Sequence, residues 1–385
     1  MSRATAPLVT ALCIPWLLAA GCDTDSAQER VAVVATYNIG LATGFVDYAA
    51  QRRPQVVTLL AGLDADLVCL QEVWTQDDVD AVIAGTTDAF PYHHYEYIED
   101  HTLGPPACED ELLATLRTCV EAECGDVPSG ELGGCVLDKC NAQFFATSAA
   151  CQGCLAAKIG QDFDTILTAC TEASELYTYS GANGLLMLSK VPLSNLTHAK
   201  LDSSLTQRSV LGASATLPKL GAVDFFCTHI AADLTGSITY NGDYESFEGE
   251  NIHQIGEITA FIDTNATAGA TPILAGDFNS GPEVAPDITA ELPSGSYAVL
   301  TQAGWTSLSV GDAPVCSYCA DNRLIADTHA STLIDHVFVK GLSGAFDATA
   351  TRIGTESISV DDNGTAVETN PSDHYGFRVQ LDYRP

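Results

Sequence analysis

The sequence predicts an α/β protein of two packed β-sheets with helices on their outer faces, interrupted by a small cysteine-rich helical insertion. Three observations lead there. Short apolar runs rich in β-branched residues recur along most of the chain and end in polar residues. A few stretches of helical spacing lie among them. Eight of the 14 cysteines crowd into residues 104–176, where the pattern turns helical with Gly/Pro breaks.

Residues 31–39 (VAVVATYNI) form a nearly continuous apolar run, the mark of a buried strand, and carry Asn38 near their end. Residues 65–72 (ADLVCLQE) form a second, ending in the carboxylate of Glu72, and 48–63 supply a helix between the two. A third strand is expected over 92–98. Within the insertion, 111–120 has helical spacing and 125–134 is broken by Gly and Pro. So small a core depends on its bridges to fold. Strands resume at 185–188, 193–200, 210–217 and 223–230. Ile252, Ile255, Ile258, Phe261 and Ile262 then draw an apolar stripe along a helix over 250–263. Strands over 272–277, 333–339 and 375–381 complete the pattern, which contains no internal repeat.

Residues 1–21 read as an export signal, with Arg3 ahead of an apolar stretch and small residues at its end. Leu18-Ala19-Ala20-Gly21-Cys22 has the form of a bacterial lipobox. That form makes Cys22 a lipidated first residue and 22–30 a polar tether; the plain alternative is a secretory signal with a chance cysteine. The expected place is then the bacterial cell envelope, periplasmic or outer surface, anchored to a membrane without spanning it. Export exposes the cysteines to an oxidising compartment, where disulfides persist. The pairing within the insertion stays open. Cys316 and Cys319 form a separate C-x-x-C, and Cys69 and Cys227, inside apolar runs, read as buried reduced thiols. Zinc at Cys151-x-x-Cys154 is the alternative to bridges, disfavoured by the lack of a matching histidine pair.

The formal net charge is −34. A field of that sign repels nucleic acid and anionic lipid and argues against a passive DNA-binding module. It leaves room for an enzyme that meets phosphate through a bound cation. The polar residues at the ends of the apolar runs are the candidates for such a site: Asn38, Glu72, His229, Asp277, Asn279, Asp335, Asp373 and His374. Strand ends are rigidly held yet reach solvent. Carboxylates and amides are hard oxygen ligands for Mg²⁺ or Mn²⁺, and a histidine with a carboxylate partner is a general base for water.

These residues sit in Thr36-Tyr37-Asn38-Ile39, Leu70-Gln71-Glu72-Val73-Trp74, Thr228-His229-Ile230, Gly276-Asp277-Phe278-Asn279, Ile334-Asp335-His336-Val337-Phe338 and Ser372-Asp373-His374. In type and order the six segments resemble the serial motifs of the endonuclease/exonuclease/phosphatase superfamily, over about 31–100 and 180–385. The resemblance implies a four-layered α/β/β/α sandwich of two mixed sheets with the site at one end, over 31–385 with 104–176 as an insertion. It also implies metal-dependent phosphoester hydrolysis by in-line attack of water. By position, Glu72 is then the main Mg²⁺ ligand, with Asn38 on metal or phosphate and Asp373 completing the metal's surroundings. His374 is the general base, oriented by Asp335. Asp277 positions the water or protonates the leaving oxygen, and Asn279 and His229 hold the non-bridging oxygens.

The substrate is read less directly. The segment Gly181-Ala-Asn-Gly-Leu-Leu-Met-Leu-Ser-Lys-Val-Pro-Leu193 and the stretch from Thr228 to Asp233 resemble the sphingomyelinase branch, as does Cys316-Ser-Tyr-Cys319-Ala-Asp-Asn322. That branch usually has an arginine where Asn251 stands, three residues before Gln254. Lys190, Arg208 and Asn183 are the substrate-side candidates. A phospholipid head group is favoured over nucleic acid, because a zwitterion feels the −34 charge far less than a long polyanion does. A secreted deoxyribonuclease-like endonuclease is the alternative. A non-catalytic surface lipoprotein is the reading from another class, opposed by the presence of all eight site positions. No protein partner is inferred. The insertion holds 12 acidic and 3 basic residues, so it is no phosphate grip; it is expected either at the rim of the site, shaping the substrate groove, or as a stapled surface decoration.

Overall fold

The computed structural model describes residues 29–172, 176–284, 287–311, 314–325, 329–342 and 346–383. The export signal and Cys22 lie outside them. The first half of the sandwich contains β1 (Glu29–Asn38), α1 (Ala49–Ala61), β2 (Leu67–Gln71), α2 (Gln76–Thr86) and β3 (Tyr92–His94). The insertion follows as α3 (Asp110–Glu123), α4 (Leu132–Lys139), α5 (Asn141–Phe145), α6 (Ala149–Ala157) and α7 (Phe163–Thr171). Next come β4 (Leu186–Ser189), β5 (Ser194–Leu201), β6 (Arg208–Leu217), β7 (Gly221–His229), α8 (Phe247–Asn265) and β8 (Thr271–Asp277). The chain closes with α9 (Ser296–Gln302), β9 (Thr306–Ser307), β10 (Asp335–Val339), β11 (Phe346–Ile353), β12 (Ile358–Asp362), β13 (Thr365–Thr369) and β14 (Gly376–Tyr383).

Two six-stranded sheets result, ordered β11-β14-β1-β2-β4-β3 and β5-β6-β7-β8-β10-β9, with β12-β13 as a separate hairpin. At the centre of each sheet one pair is parallel, β1 with β2 and β7 with β8, and the other neighbours are antiparallel. Side chains of β1 alternate, as strand geometry requires. Val34 enters the space between the sheets with Cys69, Met187, Leu211, Phe225, Ile273 and Val337. Val33 and Ala35 face outward onto Val56 and Leu60 of α1 and Val79 and Val82 of α2. On the far side Phe226, Leu274 and Phe338 meet Ile255, Ile258 and Ile262 of α8, each isoleucine contributing about 1.5–3 kcal/mol by burial. The four layers expected from the sequence are therefore present.

The differences are local. The strand expected over 92–98 is only Tyr92–His94. Helix α2 was not foreseen, although Thr75 and Asp78 form a capping box at its start. Strand β11 and the β12-β13 hairpin were also missed.

The cysteines bring a correction. Cys69 and Cys227 are not reduced thiols. They form a disulfide joining β2 to β7, with Cα atoms 5.3 Å apart, where facing sheets more often stand about 10 Å apart. Both side chains point into the inter-sheet space at the same depth, and the sheets close in there. In the insertion the bridges are Cys108–Cys151, Cys119–Cys140, Cys124–Cys135 and Cys154–Cys170. Zinc at Cys151 and Cys154 is thereby excluded, since each sulfur is committed to a different partner. Cys316 bonds Cys319. The helices of the insertion share a core of their own, which continues onto Leu205, Ile238 and Phe247 of the sandwich.

Candidate active site

The parallel central pairs decide where the site forms, because parallel strands end at the same edge. Asn38 ends β1 and Glu72 follows β2; His229 ends β7 and Asp277 ends β8. The register sets His229 opposite Asp277, and Asp277 opposite Asp335, which opens the antiparallel β10. His374 lies two residues before β14, which pairs with β1. The eight strand-end residues foreseen come from six strand termini, and all eight meet at one end of the sandwich.

There His374 Nδ1 lies 2.8 Å from Asp335 Oδ2, and its Nε2 lies 3.7 Å from Asp277 Oδ2. Asp335 is held in turn, since Ser317 Oγ accepts the N–H groups of both Ile334 and Asp335. Burial by itself lowers the proton affinity of His374, but the surrounding carboxylates of Asp335, Asp277 and Asp373 outweigh it and hold the imidazole well above its ordinary range. Asp277 is pushed up to about 6, by burial first and by Asp335 second. His229, buried beside Arg208 and His374, is driven well below its ordinary value and is a neutral imidazole. Asn279 Nδ2 lies 3.2 Å from His229 Nε2 and also donates to Ile230 O.

Glu72 and Asn279 have left the strand conformation, with φ of 61° and 46°. That left-handed backbone costs a non-glycine residue roughly 1 kcal/mol or more and turns each side chain into the cavity. Gly40 is required on two counts: its φ is 56°, and a Cβ there would stand 2.5 Å from Asp373 Oδ1.

A cavity of about 450 Å³ opens over these groups. Among the described residues lining it, Glu72, Asp233, Asp277, Glu291 and Asp373 are acidic, and Arg208 is the cation that faces them. Glu72 Oε2 is buried with no hydrogen-bond partner. Its carboxyl is pushed up to about 7, by burial and then by Asp373. Two crowded carboxylates, one with an orphaned oxygen, are a donor set that suits a hard divalent cation. Asp277, Asp335 and His374 also converge closely enough to hold an ion. The Glu72–Asp373 pair fits better, because His374 Nδ1 is already engaged by Asp335 and Asp277 already accepts from Asn38.

One sequence expectation is narrowed, from metal or phosphate to a donor's role, and two need revision. Asn38 turns its amide nitrogen, not its oxygen, to the acidic cluster: Nδ2 donates to Asp277 Oδ2 at 3.0 Å, while Oδ1 accepts from Gly40 N–H. It is set as a donor rather than as a metal ligand. Lys190 lies at the opposite end of the sheet, where Ser189 pairs with Leu67, and its Nζ bonds Asp64 at 3.0 Å. Asn183 spends its side chain on backbone, donating to Glu96 O and accepting from Leu185 N–H, and is not among the residues that line the cavity. Arg208, by contrast, reaches the cavity, with Nη1 buried and unpartnered. Asn251, standing where the sphingomyelinase branch has arginine, donates to Ala231 O and Phe278 O and so ties α8 to the loops of the site.

Other contributors were not singled out in the sequence. Arg52 on α1 is fully buried and donates to the carbonyls of Gly40, Asp47 and Pro371, joining the loops that carry Asn38 and Asp373. Asn322 donates to Ser372 O and Asp373 O. Trp74 stacks on Tyr179 at 4.8 Å, and Tyr318 lies 5.1 Å from His374; all three rings line the cavity. Trp74, Tyr318 and Asn322 stand inside segments already quoted, so proximity to the motifs was an available signal. For Arg52 the sequence offers none.

The model of the endonuclease/exonuclease/phosphatase family matches residues 35–374. The chain belongs to this family. No match was found among curated protein sequences. Among solved structures, sphingomyelinase C from Streptomyces griseocarneus superposes with a TM-score of 0.54 at 17% identity, covering 92% of this chain and 99% of that one. The beta toxin from Staphylococcus aureus, with bound magnesium ions, gives 0.54 at 11% identity, covering 92% and 99%. A mannosyl-6-phosphatase from Bacteroides thetaiotaomicron gives 0.50 at 13% identity, covering 91% and 99%. At such identities the likeness is one of fold, a phosphoesterase fold shared by enzymes named for different substrates.

Proposed function

We propose that this family member is an exported phosphodiesterase, dependent on Mg²⁺ or Mn²⁺, that hydrolyses the head-group phosphoester of a phospholipid by attack of water activated at His374. The carrying observation is the Asp335–His374 pair aimed at Asp277 beside a cavity lined by Glu72, whose Oε2 is unpartnered. Glu72 and Asp373 would hold the cation, which when bound offsets the negative charge of the phosphate as it approaches the transition state. With a cation on Glu72 and Asp373 offsetting the carboxylates that raise its proton affinity, His374 Nε2 would take the proton of the attacking water while Nδ1–H stays on Asp335, which fixes the tautomer. The new P–O bond forms as the ester bond opposite it breaks. Asp277, 3.7 Å from His374 Nε2, orients the attacking water, and the departing alkoxide takes its proton from solvent. Asn38, Asn279, His229 and Arg208 offer donors to the non-bridging oxygens.

Two features support a lipid over a polynucleotide. The aromatic wall of Trp74, Tyr179 and Tyr318 suits a quaternary ammonium head group. The acidic rim disfavours a polyanion. Lipidation at Cys22 would hold the domain at a bilayer, and the disulfides fit an oxidising compartment. The test is phosphocholine release from sphingomyelin vesicles in Mg²⁺, with chelator and His374→Ala as controls. Release abolished by both controls is expected. Nicking of plasmid DNA under the same controls, without phosphocholine release, would instead establish the nuclease reading.

A further inference from the structure

A second cavity, of about 290 Å³, lies between the insertion and the sandwich. It is continuous with the catalytic cavity: Phe45, Leu205, Leu234 and Ser237 line both. Its other wall is built by the insertion, chiefly by Phe144, Leu155, Ala156 and Ile159. Among the described residues that line it, Ser237 carries the only polar side chain. A small stapled module gains from closing such a space around its own core, since each apolar atom removed from water stabilises the fold. Here the space stays open at the catalytic cavity's edge, with Gly134 of α4, where a Cβ would meet nothing within 4 Å, among its walls at a cost of about 1 kcal/mol relative to alanine. Phe45, 46% exposed, bridges the two cavities and stands 6.3 Å, edge on, from Tyr179 of the aromatic wall.

Resting on the phosphodiesterase reading above, the geometry points to this groove as the seat of one alkyl chain of the substrate, so that the ester cleaved belongs to an amphiphile whose chain is taken between insertion and sandwich. At about 30 Å³ for each water-sized group, the groove admits roughly ten methylenes. The insertion is thus a specificity element, made of apolar walls rather than charges. That accords with its excess of acidic over basic residues, which rules it out as a phosphate grip.

The experiment measures inhibition of bis(p-nitrophenyl) phosphate hydrolysis by n-alkylphosphocholines, from ethyl to dodecyl, below their aggregation concentrations. It uses the mature protein with Mg²⁺, alongside Ala156→Phe, which fills the groove, and Ser237→Phe, which blocks its neck. In the wild type the inhibition constant should fall roughly threefold per methylene and level off near ten carbons. In both variants the ratio of the ethyl to the decyl constant should collapse to within about threefold of unity. Because this ratio is internal to each variant, a general loss of activity cancels. A wild-type constant independent of chain length overturns the groove while the phosphodiesterase reading stands. So does a chain-length series that both variants leave intact, since the chain then lies elsewhere. If the diester is not hydrolysed at all, the phosphodiesterase reading fails and the groove assignment falls with it.

Discussion

The sandwich and the insertion are stabilised by different physics. In the sandwich, strands are buried on both faces, and one continuous core lies between the sheets with another under the helices on each side. Its rigidity is what lets six strand ends aim eight polar side chains at one another. Among its described residues the insertion has five helices of no more than 14 residues, and four disulfides. Their loops span 43, 21, 11 and 16 residues, a range in which each bridge is worth about 3 kcal/mol. The lesson is a division of labour: chemistry is built on the part that packs, and selectivity is assigned to the part that is stapled. Mild reduction should expose this directly. Hydrogen exchange in 104–176 should rise towards unprotected rates while the sheets stay protected. Simultaneous loss of protection in both would show them to be one cooperative unit.

The largest effects should come from the site. His374→Ala should lower kcat about a thousandfold or more, with the circular dichroism spectrum and melting curve little changed. Glu72→Gln should cost about a hundredfold and shift the Mg²⁺ titration to higher concentration, because the orphaned oxygen is the proposed ligand. Replacing Cys69 and Cys227 together by alanine tests the sandwich's own bridge. Closing 158 residues, it should contribute up to about 5 kcal/mol, read as a lower denaturation midpoint.

The smallest effect concerns His336, buried with Nδ1 2.9 Å from Ser307 Oγ and Nε2 3.2 Å from Ser280 O, and pushed down to about 3 by burial. The unfolded chain takes up this proton near pH 6.5 and the folded one only near pH 3, so the contribution is full above pH 6.5 and fades as pH falls. The loss should reach about 2 kcal/mol by pH 5. His336→Gln should be less stable at neutral pH and show a flatter acid limb in urea unfolding.

The strands were legible because burial on both faces leaves long apolar runs, and the site was legible because polar residues interrupt those runs at their ends. Asp335 and His374 could be named from their motifs, and the structure sets them 2.8 Å apart. What was not legible depends on partners distant in sequence. Nothing near Cys69 or Cys227 announces that the two strands cross at equal depth, so each looked like an isolated buried thiol. Lys190 and Asn183 carried plausible chemistry in a motif segment, yet the direction of β4 sends one to the far end and turns the other onto backbone. Arg52 is the converse: an unremarkable helical arginine becomes the tie between two site loops only after α1 packs. Helix α2 and the β12-β13 hairpin are a different kind of omission. Thr75 and Asp78 carried the capping signal for the first, and Asp362-Asn363-Gly364 the turn signal for the second.

The central claim is that His374, held by Asp335, activates water beside a cation held by Glu72 and Asp373. The most direct measurement is the rate of bis(p-nitrophenyl) phosphate hydrolysis against Mg²⁺ concentration, for the wild type and for His374→Ala and Glu72→Gln. The account predicts saturable activation abolished by chelator, a His374→Ala plateau at least about a thousandfold lower with its Mg²⁺ midpoint little moved, and a Glu72→Gln midpoint shifted upward. Wild-type turnover that ignores chelator, or a His374→Ala variant within about tenfold of the wild type, would contradict it.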